Sequence, residues 1–108
     1  MSTPLLEDAA AAGLAALGNA TRLRLFRLLV RAGEDGANLT DLGRLTNMPA
    51  STLAHHLAAL SRAGLVRQER RGREVICTVA YERVNALAAY LTEACCMGLE
   101  SSCDRSAA

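Results

Sequence analysis

Three of the chain's four cysteines lie close to its end. Cys95 and Cys96 are adjacent, and Cys103 follows the glycine at position 98. Adjacent thiols are a good chelate for a thiophilic ion, because deprotonated sulfur forms strong bonds with soft or borderline metals and metalloids. The types and spacing of these residues therefore predict a site for a soft guest ion near the end of the chain.

The geometry of such a site constrains the last helix. In an unbroken helix Cys95 and Cys103 would lie ~12 Å apart, and adjacent cysteines would point ~100° apart. Three sulfurs on one ion need a much closer approach, so we expect the helix to end near residues 97–98, where Gly98 permits a break. We expect the following segment to fold back, and the site to be poorly formed until a ligand orders it.

Other chemistry is open to these thiols. A disulfide or persulfide bridge would also make a switch, with Cys103 as one partner, since adjacent cysteines form a strained disulfide. Thiolate-rich zinc or cadmium sites usually take four ligands, and three are offered here. A thiol enzyme pairs its cysteine with a nearby base or a helix N-terminus, whereas these cysteines lie at the predicted C-terminus of a helix, close in sequence to Glu93 and Glu100, where the helix dipole disfavours a thiolate. Cys77 alternates with Val75 and Val79, so we expect it in the core or on a strand surface.

The composition is that of one small domain with unevenly placed charge. The 108 residues are 51% hydrophobic with a net charge of +1, and all 12 basic residues are arginine. Residues 62–73 carry five arginines against one glutamate, whereas residues 74–108 carry five acids against two arginines. A local basic strip on a near-neutral chain indicates a defined contact with phosphate.

The elements that must position these residues follow from periodicity. Helices are predicted over residues 5–17, 20–32, 41–46, 50–63 and 81–97, and strands over 65–70 and 74–80. Asn19 and Thr40 are the expected N-caps. Helix, helix, helix, turn, helix, hairpin, helix is the winged-helix order. The fold class is therefore mainly α with a small β-hairpin: a single winged helix-turn-helix domain over residues 1–108, with five helices and a two-stranded wing.

The helix after the turn at residues 47–49 has two chemically different faces. Leu53, Leu57 and Leu60 fall within a narrow arc that packs inward. The polar residues of this helix are Ser51, Thr52 and His55 on the opposite side and His56 nearer the apolar arc. Short donors and acceptors of this kind reach base edges or phosphates from a helix in a major groove. Local capping, solvation and helix packing are the alternative roles for them.

The predicted hairpin is rich in arginine. Arg70, Arg71 and Arg73 surround Gly72, which suits a wing that follows a phosphate backbone or enters a minor groove. The alternative for this segment is a solvated turn. A metal carrier would need neither this hairpin nor the polar helix, so the thiols are better interpreted as the switch of a DNA-binding domain.

Four segments carry a family resemblance: LRLFRLL (residues 23–29), STLAHHL (51–57), AGLV (63–66) and RGR (71–73). Together they resemble the ArsR/SmtB family of bacterial metalloregulatory repressors over about residues 14–97. The resemblance implies a homodimer joined through helices 5–17 and 81–97, which binds double-stranded operator DNA until an inducer releases it. The helix-turn-helix would span residues 40–63 and the wing 65–80, and a two-fold dimer would place two reading helices in successive major grooves.

The resemblance also implies a class of inducer. Family members with an arsenic site on the first helix of the helix-turn-helix carry Cys-x-Cys there, but residues 39–45 hold no cysteine. Members that bind zinc on the last helix use spaced Asp, His and Glu ligands, but no histidine follows His56. Cys95, Cys96 and Cys103 are similar to the subgroup that binds trivalent arsenic at a C-terminal cysteine pair plus a downstream cysteine. Arsenite, methylarsenite or antimonite is thus the implied inducer, without a catalytic cofactor, and a redox or sulfur-species sensor using the same cysteines is the alternative.

The ends of the chain carry two further expectations. The first twelve residues include Glu7 and Asp8 without a basic region, which argues against a signal peptide. Since no apolar run reaches the ~20 residues that span a bilayer, we expect a cytoplasmic protein with reduced cysteines and no membrane partner. Residues 98–108 are expected to form a flexible tail that contains Cys103.

Overall fold

The computed structural model describes residues 6–99, which form five α-helices and a small sheet. The helices are α1 (Glu7–Leu17), α2 (Ala20–Ala32), α3 (Leu39–Thr46), α4 (Ala50–Arg62) and α5 (Tyr81–Thr92). The strands are β1 (Ala37–Asn38), β2 (Val66–Arg71) and β3 (Glu74–Val79), and a 3₁₀ turn covers Gly33–Asp35. The winged-helix order predicted from periodicity is confirmed.

Two asparagines begin the helices that support the helix-turn-helix. The Asn19 side chain accepts a 3.0 Å hydrogen bond from the Arg22 backbone N–H, as predicted for the N-cap of α2. The cap of α3 is Asn38, whose Oδ1 accepts from the Asp41 N–H at 2.7 Å. The prediction that Thr40 caps this helix is therefore wrong. Asn38 is also the last residue of β1, so the same residue ends the strand and caps α3.

The sheet has three antiparallel strands in the order β1-β3-β2. The wing, which we define as β2, β3 and the two residues between them, closes with Arg71 opposite Glu74. The unpredicted third strand pairs Ala37 with Cys77 and Asn38 with Ile76. The two-stranded wing is therefore as predicted, whereas β1 was not foreseen, because two residues are too few to show the alternation from which strands are recognised.

The core lies where α2, α3 and α4 meet the sheet. Its fully buried side chains are Leu25, Leu29, Leu42, Leu57, Leu60 and Cys77. Cys77 is therefore a core residue, in agreement with its alternation with two valines. These contacts fix α4 from one side and leave its other side exposed, which is the arrangement a DNA-reading helix requires.

The last helix is shorter than predicted. It ends at Thr92, not near residue 97, and Cys95 and Cys96 lie in tight turns beyond it. Ala94 and Cys96 have positive φ angles of 63° and 67°, which no right-handed helix contains. Helices are held mainly by the packing of a buried face. Cys95, Cys96 and Met97 are all exposed, so a continued helix would gain no core contact.

The helices at the two ends of the described segment meet each other but leave apolar surface uncovered. α1 packs on α5, where a Cβ on Gly13 would lie 3.2 Å from Leu87 Cδ2. Beyond that contact Leu14 is 42% exposed and Leu91 is 59% exposed. None of the helices within residues 6–99 has the length and apolarity needed to cross a membrane.

Candidate nucleic-acid interface and thiol pair

A short, well-braced turn sets the angle between α3 and α4. Asn47 adopts the left-handed conformation at φ 57° and ψ 30°, which asparagine tolerates better than most residues. The Thr46 hydroxyl donates to the Leu42 carbonyl at 2.6 Å and accepts from the Met48 N–H at 3.4 Å. α4 then begins after Pro49, whose fixed φ suits a helix start.

The two faces of α4 are divided as the sequence predicts. Leu53, Leu57 and Leu60 are at most 3% exposed and pack into the core. The exposed polar residues of the helix's first half are Ser51, Thr52 and His55. The alanines at positions 50 and 54 are also exposed and lie to one side of these polar residues, so that edge of the surface carries only short side chains. Such a surface can approach base edges in a major groove; we call α4 the reading helix.

His56 is placed differently from the other polar residues of the reading helix. It is half-buried, and its Nδ1 accepts a 3.3 Å hydrogen bond from Arg22 Nε on α2. Partial burial, followed by the Arg22 guanidinium and His55, lowers the pKa of His56 below its ordinary value. The structure thus gives His56 a bond inside the domain, and its predicted DNA contact stays a prediction.

The arginines of the wing are not equivalent. Arg71 Nε donates a 2.8 Å hydrogen bond to one carboxylate oxygen of Glu69, and its Nη2 lies 2.8 Å from the same oxygen in an ion pair. Arg70 and Arg73 are exposed and have no ion-pair partner within residues 6–99. Gly72, at φ +62°, makes the turn between the strands. The tip therefore presents at least two uncompensated cations to an anionic partner.

Side-chain contacts fix the wing to its surroundings. Gln68 Nε2 donates to the Ser61 hydroxyl on the reading helix at 3.1 Å. Arg67 forms a 2.6 Å ion pair with Glu82 at the start of α5. These contacts connect the wing to the reading helix on one side and to α5 on the other.

Cys95 and Cys96, which we call the thiol pair, are brought together by the turns after α5. Their Sγ atoms are 3.2 Å apart, and both side chains are exposed. Two hydrogen bonds form these turns, from the Cys95 N–H to the Thr92 carbonyl and from the Met97 N–H to the Ala94 carbonyl, each at 3.2 Å. The divergence expected for adjacent cysteines on a regular helix is absent, because this part of the chain is not helical.

Cys77 is not part of the thiol pair. Cys77 is completely buried, and burial raises the pKa of its thiol to about 11. Cys103 lies outside the described residues. Within residues 6–99 no group of three or more His, Cys, Asp or Glu side chains is placed to hold a metal ion, so the described part of the site consists of two sulfurs.

Sequence reasoning missed Arg22, whose side chain bonds the reading helix to the last turn of α1. Its partner His56 lies 34 positions away, and periodicity reports only which face of a helix is buried, not which residue it meets. The only sequence signal was the position of Arg22 in the first turn of α2, off the apolar stripe.

Comparison with known proteins agrees with this geometry. Residues 17–69 match a family described as a helix-turn-helix domain. The matched segment runs from the end of α1 to the middle of β2. The HTH-type transcriptional regulator YgaV of Escherichia coli (strain K12) is 32% identical over 89 residues, covering 82% of this chain and 88% of that protein.

Solved structures of similar proteins share the fold. One is the homodimeric winged helix-turn-helix DNA-binding domain of a possible ArsR-family regulator from Mycobacterium bovis, with a TM-score of 0.64, 27% identity and 80% of each chain covered. Another is a possible transcriptional regulator for arsenical resistance, with a TM-score of 0.64, 28% identity, and 73% of this chain and 79% of that chain covered. With fold, reading helix and relatives in agreement, this chain belongs to the ArsR family of winged-helix transcriptional regulators, whose members are not enzymes.

Proposed function

We propose that this chain is a homodimeric repressor that binds an operator duplex and is released when trivalent arsenic binds its C-terminal thiols. Arsenite and methylarsenite are the inducers we expect, with antimonite as a chemical relative. The observation that carries the proposal is the exposed thiol pair, whose sulfurs are 3.2 Å apart. A soft three-coordinate ion needs ligands of this type at this spacing.

Two adjacent surfaces support operator binding: one is suited to contact bases and the other to contact phosphates. Ser51, Thr52 and His55 form the exposed polar face from which base edges can be contacted. Arg70, Arg71 and Arg73 supply positive charge on the wing, where phosphate contacts would fix the register of the reading helix. His56 completes the proposed DNA contacts, with its Nε2 as the group available to a phosphate.

Dimerisation is supported by the surface that α1 and α5 leave uncovered. Residues 9–17 carry no charge, and the outer side of α1 exposes three alanines and Leu14. A helix that is apolar all round is stable only when both faces are covered. Leu91 on α5 extends this surface. The M. bovis domain that shares this fold is homodimeric. A second copy of this chain on the uncovered surface would pair α1 and α5 across a two-fold axis and would offer two reading helices to one duplex.

Coupling between the thiols and DNA has a physical route in this arrangement. The thiol pair directly follows α5, and α5 packs on α1 through Leu87 and Gly13. Ordering the turns after α5 around a guest ion changes a segment next to the proposed dimer surface. An inducer that binds the free dimer more tightly than the DNA-bound dimer lowers operator affinity by the same factor.

The direct test is a binding titration with a labelled duplex from the region upstream of the chain's own gene. We expect a tight complex that arsenite and methylarsenite dissociate, and that zinc or hydrogen peroxide leaves intact. Release by zinc alone would contradict the inducer assignment. Release by peroxide without an arsenical would favour the sulfur-species sensor that uses the same cysteines.

Single cysteine variants locate the site. Cys95→Ser and Cys96→Ser should bind the duplex as the wild type does but no longer respond to arsenite. Cys77→Ala removes a thiol from the core and is the matched control, with a stability loss of about 1–2 kcal/mol and a normal response. A normal response in Cys96→Ser would remove that thiol from the site.

Cys103→Ser distinguishes two ligand sets. Arsenite takes three sulfurs, whereas methylarsenite already carries one carbon and takes two. A third sulfur from Cys103 predicts that this variant loses its response to arsenite and keeps its response to methylarsenite. Equal responses to both inducers in the variant would limit the site to the thiol pair.

A further inference from the structure

Arg22 joins three elements of the domain through three hydrogen bonds. Its backbone N–H donates to Asn19 Oδ1 at the start of α2, at 3.0 Å. Its Nη1 donates to the Ala16 carbonyl in the last turn of α1, at 3.3 Å, and its Nε donates to His56 Nδ1 on the reading helix, at 3.3 Å. The Ala16 carbonyl lies in the turn of α1 whose carbonyls have no donor within the helix.

We propose that Arg22 is a positioning residue for sequence discrimination: it fixes the His56 ring and thereby the exposed start of the reading helix relative to α1. The proposal rests on the proposed operator binding. It assigns to Arg22 no DNA contact, since its guanidinium is directed inward to the two acceptors.

The guanidinium also fixes the tautomer of His56. Arginine only donates hydrogen bonds, so the Nδ1 that it faces must be the unprotonated nitrogen, and the proton of the neutral ring is on Nε2. The neighbouring charged or titratable groups that act on His56 are Arg22 from α2 and His55 from its own helix, and both lower its pKa. From α1 the network meets only the Ala16 carbonyl. The neutral ring is therefore favoured, with Nε2–H as its donor.

The fixed ring bears directly on the polar face of the reading helix. The His55 and His56 rings are in edge-to-face contact, with centroids 5.6 Å apart. His55 is exposed on the proposed base-reading side. A His56 ring that is free to rotate would release His55 and loosen the α1–α4 connection. Base contacts need placement within about 0.5 Å, whereas phosphate attraction does not, so the loss should fall on discrimination and spare general affinity.

The test compares the affinity for the upstream duplex with that for a scrambled duplex of equal length. Arg22→Lys is the central variant, because it preserves the charge but not the fork that reaches two acceptors at once. We expect its affinity for the upstream duplex to fall about tenfold, which corresponds to about 1.4 kcal/mol, while its affinity for the scrambled duplex stays within about twofold. Equal losses on both duplexes, or none, would overturn the proposal.

Two variants of His56 supply the matched control. Asn carries its amide oxygen at the position of Nδ1, whereas Gln carries it one bond farther out. His56→Asn should therefore retain discrimination better than His56→Gln, and the reverse order would contradict the role of the Arg22 bond. Thermal melts and sedimentation confirm that each variant is folded and in the same oligomeric state.

A measurement without DNA separates this proposal from the proposed function. ¹⁵N chemical shifts of the His56 ring should show the Nε2–H tautomer in the wild type and a mixture of tautomers in Arg22→Lys. If the wild type binds the two duplexes equally, the proposed function fails. The ¹⁵N shifts would still show whether Arg22 holds His56 in the Nε2–H tautomer. A mixture of tautomers in the wild type would refute the positioning role.

Discussion

Arg71 and Glu69 form an ion pair on the solvent-exposed wing, with Nε and Nη2 of the arginine each 2.8 Å from one carboxylate oxygen. The two residues lie two positions apart on β2, and hence on the same side of the strand. The charge of Arg71 is therefore partly compensated before the wing meets DNA. Both side chains are more than half exposed, so the pair contributes little to stability and can open when a phosphate replaces the carboxylate.

This relationship predicts unequal effects of the wing arginines on salt dependence. Arg73→Ala should reduce the slope of log affinity against log salt by about 1, because one phosphate contact is lost. Arg71→Ala should also weaken binding to all duplexes but reduce the slope by less, because Arg71 must give up its ion pair with Glu69 before it can contact a phosphate. Binding titrations between about 50 and 200 mM salt measure both slopes.

Glu69→Gln is the control for this prediction. It removes the competing carboxylate and leaves every arginine in place, so it should strengthen binding and raise the salt slope. Identical slopes for the wild type and the Arg71 and Arg73 alanine variants would show that the wing does not touch the backbone.

The part of the site that the sequence could predict is the part set by regular periodicity. Three leucines spaced along residues 53–60 identify the buried side of the reading helix, and the opposite side follows from geometry alone. The Glu69–Arg71 pair could also have been foreseen, because residues two apart on a strand share a face. Both inferences need only the local conformation to be known.

The rest depends on what each element packs against. The last helix stops at Thr92 although Ala94 favours helix. Within residues 6–99 the side chains of residues 95–97 are exposed, so no buried face stabilises another turn. β1 exists only because its backbone meets that of Ile76 and Cys77. The contact between Arg22 and His56 joins two helices that are distant in sequence. None of these causes is visible in local composition.

Thiol reagents should distinguish the described cysteines by rate. Cys77 is fully buried and burial raises its pKa to about 11, so in the folded protein its thiol is both inaccessible and protonated. Cys95 and Cys96 are exposed. With a maleimide at pH 7, mass spectrometry of peptides should show modification of the thiol pair first, and of Cys77 only after denaturation. Modification of Cys77 at a rate comparable to that of Cys95 would contradict the packing of β3.

His56 should make folding stability depend on pH. Its pKa in the folded chain lies below the ordinary value of 6.5, so the unfolded chain binds the proton more readily. The stability from the neutral ring is complete above pH 6.5 and is lost as the pH falls through the folded pKa. Melting temperatures between about pH 7 and pH 5 should fall more steeply for the wild type than for His56→Asn, which cannot be protonated. Parallel curves would show that His56 has the same pKa folded and unfolded.

Two glycines at the entrance to the sheet differ in what surrounds them. Gly33 has φ 72° and ψ −153°, and Gly36 has φ 71° and ψ −163°, a region that is almost exclusive to glycine. A Cβ on Gly33 would meet open space, whereas one on Gly36 would overlap the Cys77 carbonyl oxygen and lie 2.6 Å from Thr78 Cγ2. Gly36 therefore allows β1 to approach β3.

Alanine at these positions separates backbone strain from crowding. Gly33→Ala should cost about 1–3 kcal/mol through its conformation alone. Gly36→Ala carries the same strain and must also push β1 away from β3, adding about 1–3 kcal/mol of overpacking. Urea unfolding of the two variants measures the difference. Since β1 leads directly into the cap of α3, Gly36→Ala should also weaken operator binding, whereas Gly33→Ala should not. Equal stabilities would mean that β1 is not held against β3 as the register requires.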